Sequence, residues 1–315
     1  MPGGDQQRVS DRSVPGAAYI GGVTTLAFRV LGPLEAVGEG GPVPLRGPRH
    51  RAVLARLLVA RGRVVPVDRL VEDLWGEPAE GAVSAVRTFV SDLRRALEPD
   101  RAPRQPARLL VTAAPGYALR AAADAVDAWR FEAALGESGR LLAQGRTLSS
   151  STAERALGCL DGALALWRGP AYAENAGTDW ARAEIHRLDE LRALAVERRA
   201  EALLALGRAA EAVSDLEVHA GGRPLREDAW HLLAMALYRS GRQAEALAAL
   251  RRVRATLVAE LGVDPGPRLR RLEADILAHA PHLSTPLIPE ATAPVRAPAR
   301  ELAGRGRGCR PPGDA

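Results

Sequence analysis

The sequence predicts an α+β winged helix-turn-helix domain followed by an all-α tetratricopeptide-like helical domain. Three observations lead there. Strand-like and helix-like stretches alternate over residues 24–123 and end on a strand–turn–strand pattern. Residues 124–283 carry apolar residues at helical spacing and no strand signal. Two segments in that second half repeat 34 residues apart.

The 315 residues suffice for two domains of ordinary size, and 47% hydrophobic with 26% charged residues is a globular composition. All 43 basic residues are Arg. A genome rich in Arg, Ala and Gly codons accounts for that, so arginine content by itself argues nothing about partners. Its distribution says more. Residues 24–123 hold 15 Arg against 10 Asp and Glu, a net of +5, whereas residues 124–283 hold 21 against 23, a net of −2. The first half has the charge of a nucleic-acid binder and the second does not. Cys159 and Cys309 are too few and too far apart for a disulfide framework or a zinc site. Arg interrupts every apolar run, so no membrane partner is expected. The amino terminus lacks the basic start and apolar core of a secretory signal, and a cytoplasmic location is the expectation.

Residues 1–23, rich in Gly, Pro, Ser and charge, read as disordered. Leu26–Leu31 alternates as a strand, and Gly32-Pro33 ends it. Leu34–Val37 and Val43–Leu45 suit short strands around a turn at Gly38–Gly41. Gly47-Pro48 opens a helix with Val53, Leu54, Leu57 and Leu58 on its apolar face, and Gly62 stops it. Val64–Val67 is a short extended link. Asp68 is placed to cap the next helix, which buries Leu70, Val71, Leu74 and Trp75. A loop comes next at Gly76–Gly81.

The stretch Glu80–Leu97 organises the first domain. Val83, Val86, Val90, Leu93 and Leu97 form one apolar stripe on a helix. Ser84, Thr88, Ser91 and Arg95 fall on the opposite face, with Arg87 and Arg94 flanking one side and Asp92 the other. A helix packed on one side and carrying Arg, Ser and Thr on the other can enter a DNA major groove. There Arg pairs with guanine edges, and Ser and Thr reach phosphates or bases. Taken alone, the pattern suits an ordinary amphipathic surface helix at least as well. The next twenty residues shift the balance. After the polar loop Pro99–Pro106, Leu109–Thr112 and Tyr117–Arg120 bracket a turn at Ala113–Gly116. Such a hairpin is the wing of a winged helix, touching backbone or minor groove beside the reading helix. Arg108 and Tyr117, at this hairpin, complete the candidate DNA contacts.

In the second half, Leu206-Gly207-Arg208-Ala209-Ala210-Glu211-Ala212-Val213 resembles Ser240-Gly241-Arg242-Gln243-Ala244-Glu245-Ala246-Leu247. The 34-residue offset is the tetratricopeptide period, with Gly at the turn and Ala where paired helices approach. A third copy near Leu142–Arg168 is weaker, and a plain helical bundle is the alternative. Residues 284–315 read as a disordered tail with a free Cys309. Chemistry has no signature. Without Lys there is no Walker phosphate loop, no Gly-x-Ser-x-Gly elbow occurs, and the six His are scattered, with His279 and His282 read as surface residues. No enzyme, metal or cofactor is expected.

Four blocks resemble the amino-terminal domain of the Streptomyces antibiotic regulatory proteins: Phe28–Leu34, Val67–Gly76, Val90–Leu97 and Pro115–Leu119. Leu166–Pro170, Pro224–Glu227, Ala236–Leu247 and Glu260–Pro267 resemble that family's bacterial transcriptional activation domain. The resemblance covers about residues 26–283. It implies an OmpR-like winged helix joined to a tetratricopeptide-like domain, a short form without the NTPase module of larger members. It also implies binding to promoter direct repeats in double-stranded DNA as a side-by-side homodimer. Recruitment of RNA polymerase, with the Gly76–Gly81 loop facing it, and activation of a secondary-metabolite gene cluster are implied with it. Two departures stand out. Asp92 occupies a position often basic or polar in the family, and Ala113 one often filled by Arg; both are expected to weaken phosphate contacts. They motivate a competing reading, a helical-repeat interaction adaptor with impaired DNA binding. A repressor using the same contacts is a third.

Overall fold

The computed structural model describes residues 26–77, 80–143 and 148–284. Residues 1–23, and all of the 284–315 tail but Ser284, lie outside that set, as do residues 78–79 of the Gly76–Gly81 loop. The chain opens with an antiparallel sheet of β1 (Ala27–Arg29), β2 (Glu35–Gly38) and β3 (Gly41–Pro42), in that order. The return strand starts at Gly41 rather than Val43, because Glu39-Gly40 alone makes the turn and Gly38 pairs with Gly41. Three helices come next: α1 (Pro48–Val59), α2 (Val67–Trp75) and α3 (Ala82–Leu97). The extended link is in fact a strand, β4 (Val65–Pro66). It joins β5 (Leu110–Ala113) and β6 (Gly116–Leu119) in a second sheet, ordered β4-β6-β5. Gly116 is required there: a Cβ at this position would lie 1.8 Å from the Val65 carbonyl oxygen. Asp68 does not cap α2. The helix begins one residue earlier, leaving Asp68 in the first turn, where its charge still faces the positive helix end.

The rest is helical: α4 (Asp127–Leu142), α5 (Ser150–Leu164), α6 (Asp179–Ala205), α7 (Ala209–Gly222), α8 (Glu227–Arg239), α9 (Gln243–Leu261), α10 (Pro267–Leu277) and α11 (Pro281–Ser284). The 34-residue period is repeated in atomic detail. Gly207 and Gly241 turn with φ of +74° and +77°. The next backbone N–H groups, of Arg208 and Arg242, each donate 2.9 Å to Leu203 and Leu237 carbonyls. Arg208 then clasps Glu211 with two hydrogen bonds, and Arg242 clasps Glu245 in the same way. The weaker third copy spans α5; residues 144–147, at its start, lie outside the described set. No helix among the described residues is long and apolar enough to cross a membrane.

The two halves share one core. Phe28 of β1 and Val30, Leu31 and Leu34 of the β1–β2 connection pack with Phe131, Leu160, Tyr172 and Leu188 of the helical half. The backbone is shared too. The Phe28 N–H donates to Ala125 O (2.7 Å), Tyr172 N–H to Val30 O (2.7 Å) and Arg168 N–H to Leu31 O (2.7 Å). Asp127, 4% exposed, accepts from the Val30 and Leu31 N–H groups at 2.8 and 3.1 Å. Burial pushes its carboxyl above the usual carboxylate range, and these bonds only partly offset that. Outside the core, Arg51 is bound by Glu174, and Arg61 by Glu132 and Glu184, with Arg187 closing the same cluster. A second core, which includes Trp230, joins Leu157 of α5 to residues of α6–α11.

Candidate nucleic-acid interface

Helix α3 buries Ala82, Val86, Val90, Leu93 and Leu97. Val83, expected in the stripe, is 38% exposed instead. Left-handed Gly81 is the cap, and the helix begins at Ala82, directly after the Gly76–Gly81 loop. Ala82 then holds the inward position of the first turn. Ser84, Arg87, Thr88, Ser91 and Arg95 are exposed, as one row along the outward face. Thr88 Oγ1 donates back to the Ser84 carbonyl (3.1 Å). Arg87 makes no hydrogen bond or ion pair among the described residues, and the side chain of Arg95 is 71% exposed. Both basic residues of the last turn, Arg94 and Arg95, suit the negative end of the helix.

Two of the sequence-based candidates do other work. Arg94 is turned under the wing. Its Nε donates to Leu110 O (2.8 Å), its Nη2 to Thr112 Oγ1 (2.8 Å), and it lies 5.7 Å from the Tyr117 ring centre. Burial lowers its pKa, though a guanidinium remains charged. Tyr117, 8% exposed, sits on β6, the central strand, where neither face is left to DNA. In the sequence Tyr117 looks open to DNA because, with Val65–Pro66 read as a link, β6 passes for an edge; Arg94 is instead taken up by its bonds to β5. Arg108 is exposed beside β5, its backbone N–H held by Glu98 (2.8 Å).

The Asp92 carboxylate is already taken up within the protein. It is 13% exposed and accepts from Arg46 Nη1 (2.9 Å), His50 Nε2 (3.2 Å) and Arg95 Nη1 (3.4 Å). His50 is fixed by Phe89 (ring centres 4.5 Å apart), which stacks on Trp75 (6.2 Å). Sequence reasoning missed Arg46 and His50 because 46 and 42 residues separate them from Asp92 and neither belongs to α3.

An exposed row of Ser, Thr and Arg beside a three-stranded wing is the geometry of a major-groove reader. Family profiles agree. The carboxy-terminal domain of transcriptional regulatory proteins matches residues 41–119, and the bacterial transcriptional activator domain matches residues 126–277. RedD, a transcriptional regulator of Streptomyces coelicolor, is 32% identical over 280 residues, which cover 89% of this chain and 78% of RedD. This chain belongs to the Streptomyces antibiotic regulatory protein family. The transcriptional regulatory protein EmbR of Mycobacterium tuberculosis is 39% identical over 257 residues, 81% of this chain and 64% of EmbR. The regulatory protein AfsR of Streptomyces coelicolor is 40% identical over 82% of this chain, which spans only 25% of AfsR. A solved structure of Mycobacterium tuberculosis EmbR with a low-affinity phosphopeptide superposes with a TM-score of 0.74 at 38% identity. It covers 82% of this chain and 66% of that one.

Proposed function

We propose that the protein is a cytoplasmic, sequence-specific transcriptional activator of a secondary-metabolite gene cluster. It binds promoter direct repeats in duplex DNA as a side-by-side dimer and recruits RNA polymerase, with the Gly76–Gly81 loop facing it. The observation that carries this reading is the outward row Ser84, Arg87, Thr88, Ser91 and Arg95 on α3, free of the protein's own core and flanked by the wing. The relatedness to RedD, a transcriptional regulator, supports the activator role. Fluorescence anisotropy of the full chain tests it. The probes are duplexes from promoters neighbouring the gene, native and with their direct repeats scrambled, over a salt series. Tight binding to one promoter, lost on scrambling, is the expected result. Equal affinity for every duplex overturns the sequence-specific reading, and no binding at low salt overturns DNA recognition altogether.

A further inference from the structure

The arrangement around Asp92 points beyond α3. Its two carboxylate oxygens serve different elements. Oδ2 holds Arg46, from the residue pair just ahead of α1, and His50 from the first turn of α1. Oδ1 holds Arg95 from α3. The carboxylate itself is largely covered, whereas the side chains of Arg46 and Arg95 are 55% and 71% exposed. Two guanidinium groups, one from just ahead of α1 and one from α3, thus meet at one recessed anion while staying largely exposed themselves. Arg46 also sits at a positive φ of 56°, a conformation uncommon for a residue with a Cβ, so its direction is set by its surroundings.

We propose that Arg46 and Arg95 form a two-arginine clamp for a DNA backbone phosphate and that Asp92, backed by His50, is its positioning residue. The DNA-contact surface then extends from the reading helix onto the amino-terminal end of α1. Physically, a free surface arginine loses rotamer freedom when it meets a phosphate. Here part of that ordering precedes DNA binding, because Asp92 gives both guanidinium groups a common partner in the free protein. Each guanidinium keeps N–H donors beyond those given to the carboxylate, and phosphate accepts them. Arg95 accordingly contacts backbone, leaving Arg87 as the residue of the row without a partner to read a base edge.

The clamp makes a prediction opposite to simple charge counting. Asp92→Asn removes a negative charge from a DNA-binding face, which by itself raises affinity and steepens the salt dependence. If Asp92 positions the clamp, affinity falls several-fold instead. The inference rests on the proposed DNA binding, so the experiment uses a probe that does not require the operator. The full chain and the variants Arg46→Gln, Asp92→Asn and Arg46→Gln/Asp92→Asn are titrated onto a random-sequence duplex by anisotropy across a low-salt series, with thermal melting of each variant alongside. Arg46 is exposed, so its variant keeps the fold. Expected is a weaker Arg46→Gln with its salt slope reduced by about one unit. Asp92→Asn should also be weaker, and less damaging when Arg46 is already Gln. An unchanged slope for Arg46→Gln, or tighter binding by Asp92→Asn at an unchanged melting temperature, overturns the clamp. Wild-type protein that binds no duplex at low salt overturns the DNA-binding reading itself.

Discussion

The junction between the two halves and the outward face of α3 are built from the same cation and use it in opposite ways. At the junction, Arg51, Arg61 and Arg187 are each met by carboxylates, and those carboxylates (Glu132, Glu174, Glu184) all come from the helical half. On α3, Arg87 meets none and Arg95 meets only a recessed one. The difference teaches how to read the net charge of +5 over residues 24–123. Part of that excess is not a nucleic-acid footprint. It is the complement of the slightly acidic second half, and it is neutralised within the molecule. Only what the junction leaves over can face phosphate.

The strongest way to break this comparison is at Asp127. Replacing it by Ala leaves the Val30 and Leu31 N–H groups without their acceptor in the core. At about 1–3 kcal/mol for each of the two unsatisfied buried donors, the loss should reach about 2–6 kcal/mol. Urea unfolding followed by near-UV and far-UV circular dichroism measures it. A shared core requires the winged helix and the first helices to unfold in one transition. Separate transitions for wild-type α1–α3 and α4–α6 would show two independent domains that merely touch.

Arg94→Ala comes next. It removes the two hydrogen bonds that tie α3 to β5, at about 1–2 kcal/mol in a half-buried setting. Stability and DNA affinity should drop together, because the wing loses its anchor. Loss of affinity at an unchanged urea midpoint would return Arg94 to the DNA face.

A smaller effect is expected from acid. Burial pushes Glu132 up, but hydrogen bonds and charge from Arg61 and Arg187 outweigh it and hold the carboxyl below its ordinary value of 4.5. A depressed folded-state pKa stabilises fully above the unfolded value, and that contribution is lost as pH falls through the folded one. The melting temperature should therefore decline below about pH 4.5, and Glu132→Gln should flatten that limb while lowering the plateau above it. An unaltered acid limb in Glu132→Gln would remove the junction cluster from the account.

Legibility in the sequence depends on range. The helices, their apolar stripes and the 34-residue repeat rest on contacts within one element or between neighbours, and spacing reports those. The pairing of Val65–Pro66 with β6 does not. Two residues carry no periodicity, and the missing strand is why Tyr117 passes for an exposed wing residue; Arg94, placed by the periodicity of its own helix, gives no sign of its bonds to β5. Asp92 is only half legible for a related reason: its sign is visible, but Arg46 and His50, which contact it, lie 46 and 42 residues away in the chain. The shared core is hidden too. Asp127 looks like an ordinary helix-start carboxylate until Val30 and Leu31 are found donating to it.

The smallest expected change in stability, and the sharpest test of the contrast, is at Arg87. It makes no hydrogen bond or ion pair among the described residues and is exposed, so Arg87→Ala should leave the urea midpoint within about 0.5 kcal/mol of wild type. A junction arginine cannot be removed so quietly. Its effect belongs in DNA binding, and two outcomes separate its possible roles. If its fork meets a guanine edge, affinity for the operator falls by about 1–3 kcal/mol and preference relaxes at one base pair, with scrambled duplex little affected. If it meets a phosphate, every duplex weakens alike and the salt slope drops by about one unit. With Arg95 and Arg46 drawn together by Asp92, the first outcome is the one that the geometry favours. A uniform loss would leave α3 without an arginine to read bases, and specificity would then rest on Ser84, Thr88 and Ser91 or on the shape of the DNA.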